Sequence, residues 1–179
     1  MHWPNAPDTG FIVDVADALL AADKELSNPL PAWQTGNRQI EKRLVWPVLV
    51  EGEFVGLNLN LTAYPNDADY TDERFTITLN LPPCIWRLDF DPPYKRHRNP
   101  PGYGEEMGAF VVSGPSYHAW ADNREFASPT RLPPRLRCAR NLPSQIRSLR
   151  QAFPWFCDQA NIRFSHEQMV DYPPRELLV

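Results

Sequence analysis

Val55-Gly56-Leu57-Asn58-Leu59-Asn60-Leu61 is the stretch on which the fold turns. Valine or leucine stands at every second position, with glycine or asparagine between. A β-strand sends successive side chains to opposite faces, so this period of two reads as a strand with one buried and one polar face. The alternation returns twice downstream. Phe75, Ile77, Leu79 and Leu81 alternate with Thr76, Thr78 and Asn80. After Pro82-Pro83, Cys84, Trp86, Leu88 and Phe90 fall on one face, with Arg87, Asp89 and Asp91 on the other. Upstream, residues 44–50 form an apolar run that reaches the first stretch through the turn Glu51-Gly52-Glu53. Pro47 in that run points to an edge position, because proline cannot donate to a ladder. Four runs with short connections predict an antiparallel meander, and residues 107–112 supply a short fifth strand.

Helical spacing frames the sheet. Ile12, Val15, Ala16, Leu19, Leu20 and Leu26 follow a cap at Asp8-Thr9-Gly10, and Ser27-Asn28-Pro29 ends that stripe. Toward the other end, Leu142-Pro143-Ser144 opens a helix with Ile146, Leu149, Phe153, Phe156 and Ala160 at helical spacing, and Pro154 inside it predicts a kink or split. Residues 27–42 and 91–108 read as loops, and residues 163–179 as a tail with one helical turn. The expectation is a single α+β domain with its core over about residues 10–162. In it, an antiparallel sheet of four to five strands carries an N-terminal helix and C-terminal helices on one face. The core should hold Ile12, Val15, Leu19, Leu57, Leu59, Phe75, Ile77, Leu79, Trp86, Leu88, Ile146, Leu149, Phe153 and Phe156.

A chain of 179 residues that is 42% hydrophobic is globular rather than disordered. Its 20 prolines are scattered in pairs, which stiffens loops on a folded body rather than building a proline-rich tract. No run approaches the ~18 apolar residues of a membrane helix, and the start of the sequence has no signal-peptide pattern. Cys84, Cys138 and Cys157 are odd in number and far apart, so neither a disulfide framework nor a zinc site is expected. The expected setting is a reducing cytoplasm, away from membranes.

Charge is uneven. Residues 1–91 hold 14 acids against 6 bases, and residues 92–179 hold 8 acids against 12 bases. Six arginines (Arg131, Arg135, Arg137, Arg140, Arg147 and Arg150) lie between Glu125 and Asp158 with no acid among them. Such a segment either pairs with the acidic half of the same chain or meets an acidic protein surface or nucleic-acid phosphate.

Candidate functional groups concentrate in Tyr117-His118-Ala119-Trp120-Ala121-Asp122-Asn123-Arg124. No regular period runs through it, which places it on a loop or at an element end, where binding groups gather. His118, and His97 with Lys95, Arg96 and Arg98 around it, are the acid–base candidates, because imidazole titrates near neutrality. Two histidines and arginines suit cleavage of a phosphodiester, one ring taking a proton and the other giving one, with Arg124 holding the anion. The competing reading makes each histidine an exposed or backbone-capping residue and Asp122-Asn123 a turn. Tyr117 and Trp120 either stack on a planar ligand or plug the end of the core. Arg87, Asp89 and Asp91 share one strand face, which reads as a partner in an ordinary cross-strand salt bridge rather than a metal site. Cys138, between Arg137 and Arg140, is the one candidate nucleophile. No glycine-rich phosphate loop, GxSxG elbow or HExxH pair is present, and no cofactor or metal is expected.

Helix, four-strand meander, proline-rich stretch with His97-Arg98-Asn99, then C-terminal helices: in this order the chain resembles the ubiquitin-conjugating (UBC) fold in its divergent bacterial form, over about residues 10–160. That family carries His-Pro-Asn after its fourth strand and a catalytic cysteine soon after. Here Arg98 replaces the proline and the next cysteine is Cys138. The resemblance implies a binding-only variant without the positioned nucleophile. The leading functional expectation is thus a non-catalytic protein- or anion-binding module built from residues 91–104 and 116–126 with Asn99, Arg137 and Arg140. The alternative is a small hydrolase or nuclease acting on phosphodiesters.

Overall fold

The computed structural model describes residues 12–36, 40–65, 72–104, 106 and 108–175. The cap expected at Asp8-Thr9-Gly10 lies outside them. Helix α1 (Ile12–Ala21) leads to β1 (Lys24–Leu26) and β2 (Gln34–Thr35). The long strands follow: β3 (Lys42–Val50), β4 (Glu53–Ala63), β5 (Phe75–Asn80) and β6 (Cys84–Phe90). Next come β7 (Arg96–Arg98), β8 (Val111–Ser113), β9 (Ser116–His118) and β10 (Arg140–Asn141). Helix α2 (Leu149–Gln159) and β11 (Ile162–Arg163) complete the order.

The meander expected from the alternation is β3-β4-β5-β6. It is the centre of a nine-stranded sheet ordered β10-β9-β6-β5-β4-β3-β1-β11, with β2 also on β3. Among the described residues only the β1–β11 pairing is parallel. The sheet is wider than four or five strands because its margins are pieces of two or three residues, too short to carry a readable period. The edge expected for Pro47 is not there: β3 is an interior strand and Pro47 faces Asn58 of β4. On its other side β2 pairs only at Lys42 and Arg43 and β1 only at Val48 to Val50, so the proline sits in a gap between them.

Both helices lie in the core with one sheet face. Phe153 stacks on Trp46 at 6.2 Å and Phe156 meets Trp86 edge-on at 4.9 Å. All the expected core residues join this cluster, Ile12 and Val15 as half-buried members at its margin. Helix α1 ends earlier than its apolar stripe suggested. Lys24, fully buried, turns back and donates from Nζ to the carbonyls of Leu19, Leu20 and Ala22, so it closes the helix and Leu26 passes to β1. Helix α2 begins at Leu149 rather than near Ser144, because Glu73 reaches across to accept from the Leu149 N–H. It runs through Pro154 without a break. The segment expected as a tail is docked: Gln168 donates to the Leu26 carbonyl, and the Tyr172 hydroxyl bonds the Arg74 backbone.

The opposite sheet face is polar and positions the site. Register sets Asn60, Thr78, Arg87 and His118 side by side across β4, β5, β6 and β9. The next row sets Thr62, Thr76, Asp89 and Ser116 together. A bulge between Leu79 and Asn80 in the β5–β6 pairing shifts the alternation, so Ile85 is buried, and Cys84 lines the Arg87–Asp89 side rather than the core expected for it.

Candidate functional site

The polar rows end in a cleft of about 410 Å³ walled by β6, β7, β9 and residues 134–136. Asp89 stands at its floor. It is buried and accepts from Arg87 at 2.7 Å and from Thr76 at 2.9 Å, and its Oδ2 lies 3.5 Å from His118 Nε2. Burial works to raise the Asp89 carboxyl, but the His118 contact and the Arg87 charge prevail and hold it at about 2. An ionised carboxylate only accepts, so His118 presents an N–H to it at Nε2 and turns Nδ1 away from it. That Nδ1 is buried and has no hydrogen-bond partner.

His97 crosses His118 edge to face, ring centres 4.8 Å apart and planes at 89°. Its Nε2 lies 2.8 Å from the Arg137 carbonyl, which fixes the proton on Nε2 and leaves Nδ1 as the basic atom. Burial, with the neighbouring His118 as a lesser cause, draws its pKa below the usual histidine value, so the ring is largely neutral at pH 7. His97 is the more open of the pair; His118 is 5% exposed. Lys95, Arg96 and Arg135 also line the cleft, and among the described residues no carboxylate pairs with them.

The wall at residues 134–139 is held residue by residue. His97 takes the Arg137 carbonyl. Asn123 bonds both the N–H and the carbonyl of Cys138, at 2.8 and 3.0 Å. Asn99 does the same for the N–H and the carbonyl of Ala139, at 2.8 and 3.0 Å. Both amides are buried, and each gives its other N–H to a further carbonyl, of Ala119 and Ala109 respectively.

The sequence-picked residues therefore separate. His97, His118, Lys95 and Arg96 meet in the cleft. Asn99 and Asn123 are internal clamps, not ligand groups. Arg124 is taken by Asp17, with Nε and a terminal nitrogen each 2.8 Å from Oδ2, and Trp120 donates to the same carboxylate at 2.6 Å. Both tie the segment to α1. Asp122 and Arg140 form a two-pronged pair at 2.7 and 2.8 Å. Tyr117 stacks on Trp86 at 5.5 Å on the core side of β9, away from His118. Arg137 lies over the Phe126 ring, and Arg98 is exposed outside the cleft. Tyr117 and His118 close β9, the element-end alternative rather than the loop, and alternation on that strand parts them. Cys138 is fully buried, and burial raises its thiol pKa, which removes it as a nucleophile.

Asp89, Arg87 and Arg135 had not been linked to the histidines. The salt bridge expected there was a cross-strand one; Arg87 and Asp89 instead pair along β6, and their register with His118 escapes the sequence because β9 is three residues long. A larger hollow of about 530 Å³ lies beside Phe90 and Arg147, but it holds no histidine or cysteine, and its Glu73 is occupied at the start of α2. No family model, curated protein or solved structure matches this chain.

Proposed function

We propose that the cleft binds a phosphodiester and that His97 moves protons at it. One observation carries this reading: a neutral imidazole, its Nε2 proton fixed by a backbone carbonyl, lines a cleft whose lysine and arginines have no carboxylate partners among the described residues. Guanidinium forks match phosphate oxygens, and a departing alkoxide needs the proton that an imidazole can deliver. His118, too buried to touch a ligand freely, packs against the His97 ring and is itself held by Asp89, which Arg87 holds in turn. The role expected for Arg124 passes to Arg96 and Arg135.

The test pairs wild type with His97→Gln on labelled single-stranded RNA and DNA. Cleavage of either strand that falls by about 10²–10⁴-fold in the variant supports proton transfer by His97. Equal cleavage by both proteins, or none of either strand, removes the acid–base role.

A second reading has its own support. Among the described residues neither imidazole is hydrogen-bonded to a hydroxyl or thiol, so the cleft also suits an anion-binding module without catalysis, in line with the resemblance to a UBC-like binding variant. That reading expects binding that weakens steadily with salt and no turnover.

A further inference from the structure

The chemistry missing from the cleft narrows the substrate. An enzyme nucleophile must sit within hydrogen-bond reach of its base. Ser116 and Cys84 line the cleft, yet no hydrogen bond joins either to His97 or His118. The Cys84 thiol is turned to the Trp86 carbonyl at 3.0 Å, and burial pushes it up to about 12. A bound water would need a second acceptor to orient it. The carboxylates that line the cleft are engaged: Asp89 by Arg87 and Thr76, and Asp91 by Arg74 at 3.1 Å. What remains among the described residues is the His97 imidazole, left basic at Nδ1 by the Arg137 carbonyl on Nε2, and three cations without a carboxylate partner.

Building on the phosphodiester reading, we infer that the substrate supplies its own nucleophile, and that the cleft takes single-stranded RNA and uses the ribose 2′-hydroxyl. His97 Nδ1 accepts the 2′-hydroxyl proton as the 2′-oxygen attacks phosphorus. The bond from phosphorus to the 5′-oxygen breaks, and the proton passes from His97 to that oxygen. The products are a 2′,3′-cyclic phosphate and a 5′-hydroxyl, with no net change in the imidazole and no co-reactant. Intramolecular attack suits so small a set of groups, because a tethered nucleophile acts at an effective concentration of up to about 10⁵–10⁸ M. Lys95, Arg96 and Arg135 would hold the phosphate oxygens. His118 is a positioning residue that acts through the His97 ring.

The experiment uses the whole chain, wild type and His97→Gln prepared identically, on four strands of one sequence: RNA, DNA, DNA with a single ribonucleotide, and 2′-O-methyl RNA. The expected result is cleavage of the RNA, and of the mixed strand only after its ribonucleotide, with cyclic-phosphate ends found by mass spectrometry. The DNA and 2′-O-methyl strands stay intact. His97→Gln loses about 10²-fold or more in rate, yet binds the 2′-O-methyl strand within about twofold of wild type by anisotropy. Cleavage of DNA by wild type and not by His97→Gln overturns the internal nucleophile while leaving the phosphodiester reading intact. Binding of all four strands without cleavage overturns both and leaves the binding module.

Discussion

The clamps at Asn99 and Asn123 and the histidine cleft lie on either side of the same short wall, and they treat buried polarity in opposite ways. Each clamp amide meets a backbone N–H and two carbonyls, leaving nothing for a ligand. In the cleft, His118 Nδ1 is buried without a partner, and Asn60 Oδ1, in the same polar row, is too. Buried polar groups are almost always hydrogen-bonded, and leaving one unpaired costs about 1–3 kcal/mol. A fully satisfied cluster specifies the fold. A cluster left short, beside unpaired cations, marks a place where the fold has been compromised for something else.

The largest effect should come from the satisfied side. Asn123→Ala strands the Cys138 N–H and carbonyl and the Ala119 carbonyl in a buried site, and we expect it to cost about 3–5 kcal/mol. Asn99→Ala should follow at about 2–4 kcal/mol on the same grounds. Urea midpoints of the two variants measure this. Losses under about 1 kcal/mol would show the wall to be held by other contacts and would erase the contrast with the cleft.

Asp89 joins the two regimes, being satisfied itself while serving an unsatisfied histidine. Its folded pKa of about 2 lies below the ordinary 3.8. A depressed carboxyl contributes stability that is fully present above the ordinary value and is lost as pH falls from 3.8 toward 2. The amount is roughly 2 kcal/mol at one pKa unit per 1.4 kcal/mol. Asp89→Asn should flatten the acid limb of a stability–pH curve by about that much. An unchanged limb would mean that Arg87 and His118 do little for the carboxylate in solution.

The sequence made the satisfied frame far more legible than the site. Alternation at Leu57, Leu59 and Leu61, and again at Phe75, Ile77 and Leu79, is a local record of burial, so β4 and β5 could be read directly. His118 carries no such record. It lies on a three-residue strand, and its neighbours Arg87 and Asp89 are 31 and 29 residues away in the chain. The cluster from Tyr117 to Arg124 looked like one site because its groups are adjacent in sequence. On β9 successive side chains take opposite faces, so Tyr117 goes to the core and His118 to the cleft. The arginine-rich segment could be counted but not paired, for a related reason. Charge counting sees Arg140 but not the pairing with Asp122, and sees Arg124 but not Asp17. His97 was legible as a residue with basic neighbours, but its tautomer depends on the Arg137 carbonyl forty residues on.

The smallest effects on stability should come from the groups that matter most to a ligand. Lys95, Arg96 and Arg135 are exposed, so changing each to Gln should move stability by less than about 0.5 kcal/mol. Bringing three like charges to one cleft also carries some mutual repulsion, and the triple variant should match or slightly exceed wild type in melting temperature. Its affinity for a single-stranded oligonucleotide should fall, and the slope of log affinity against log salt should flatten by up to about 2 for three lost contacts. Arg140→Gln is the matched control. It removes one positive charge from the same basic half, but a charge already committed to Asp122. It should leave that slope unchanged while lowering stability. If Arg140→Gln flattens the salt dependence as much as the cleft variant does, binding follows the general charge of this half of the chain, and the cleft is not the place where the anion sits.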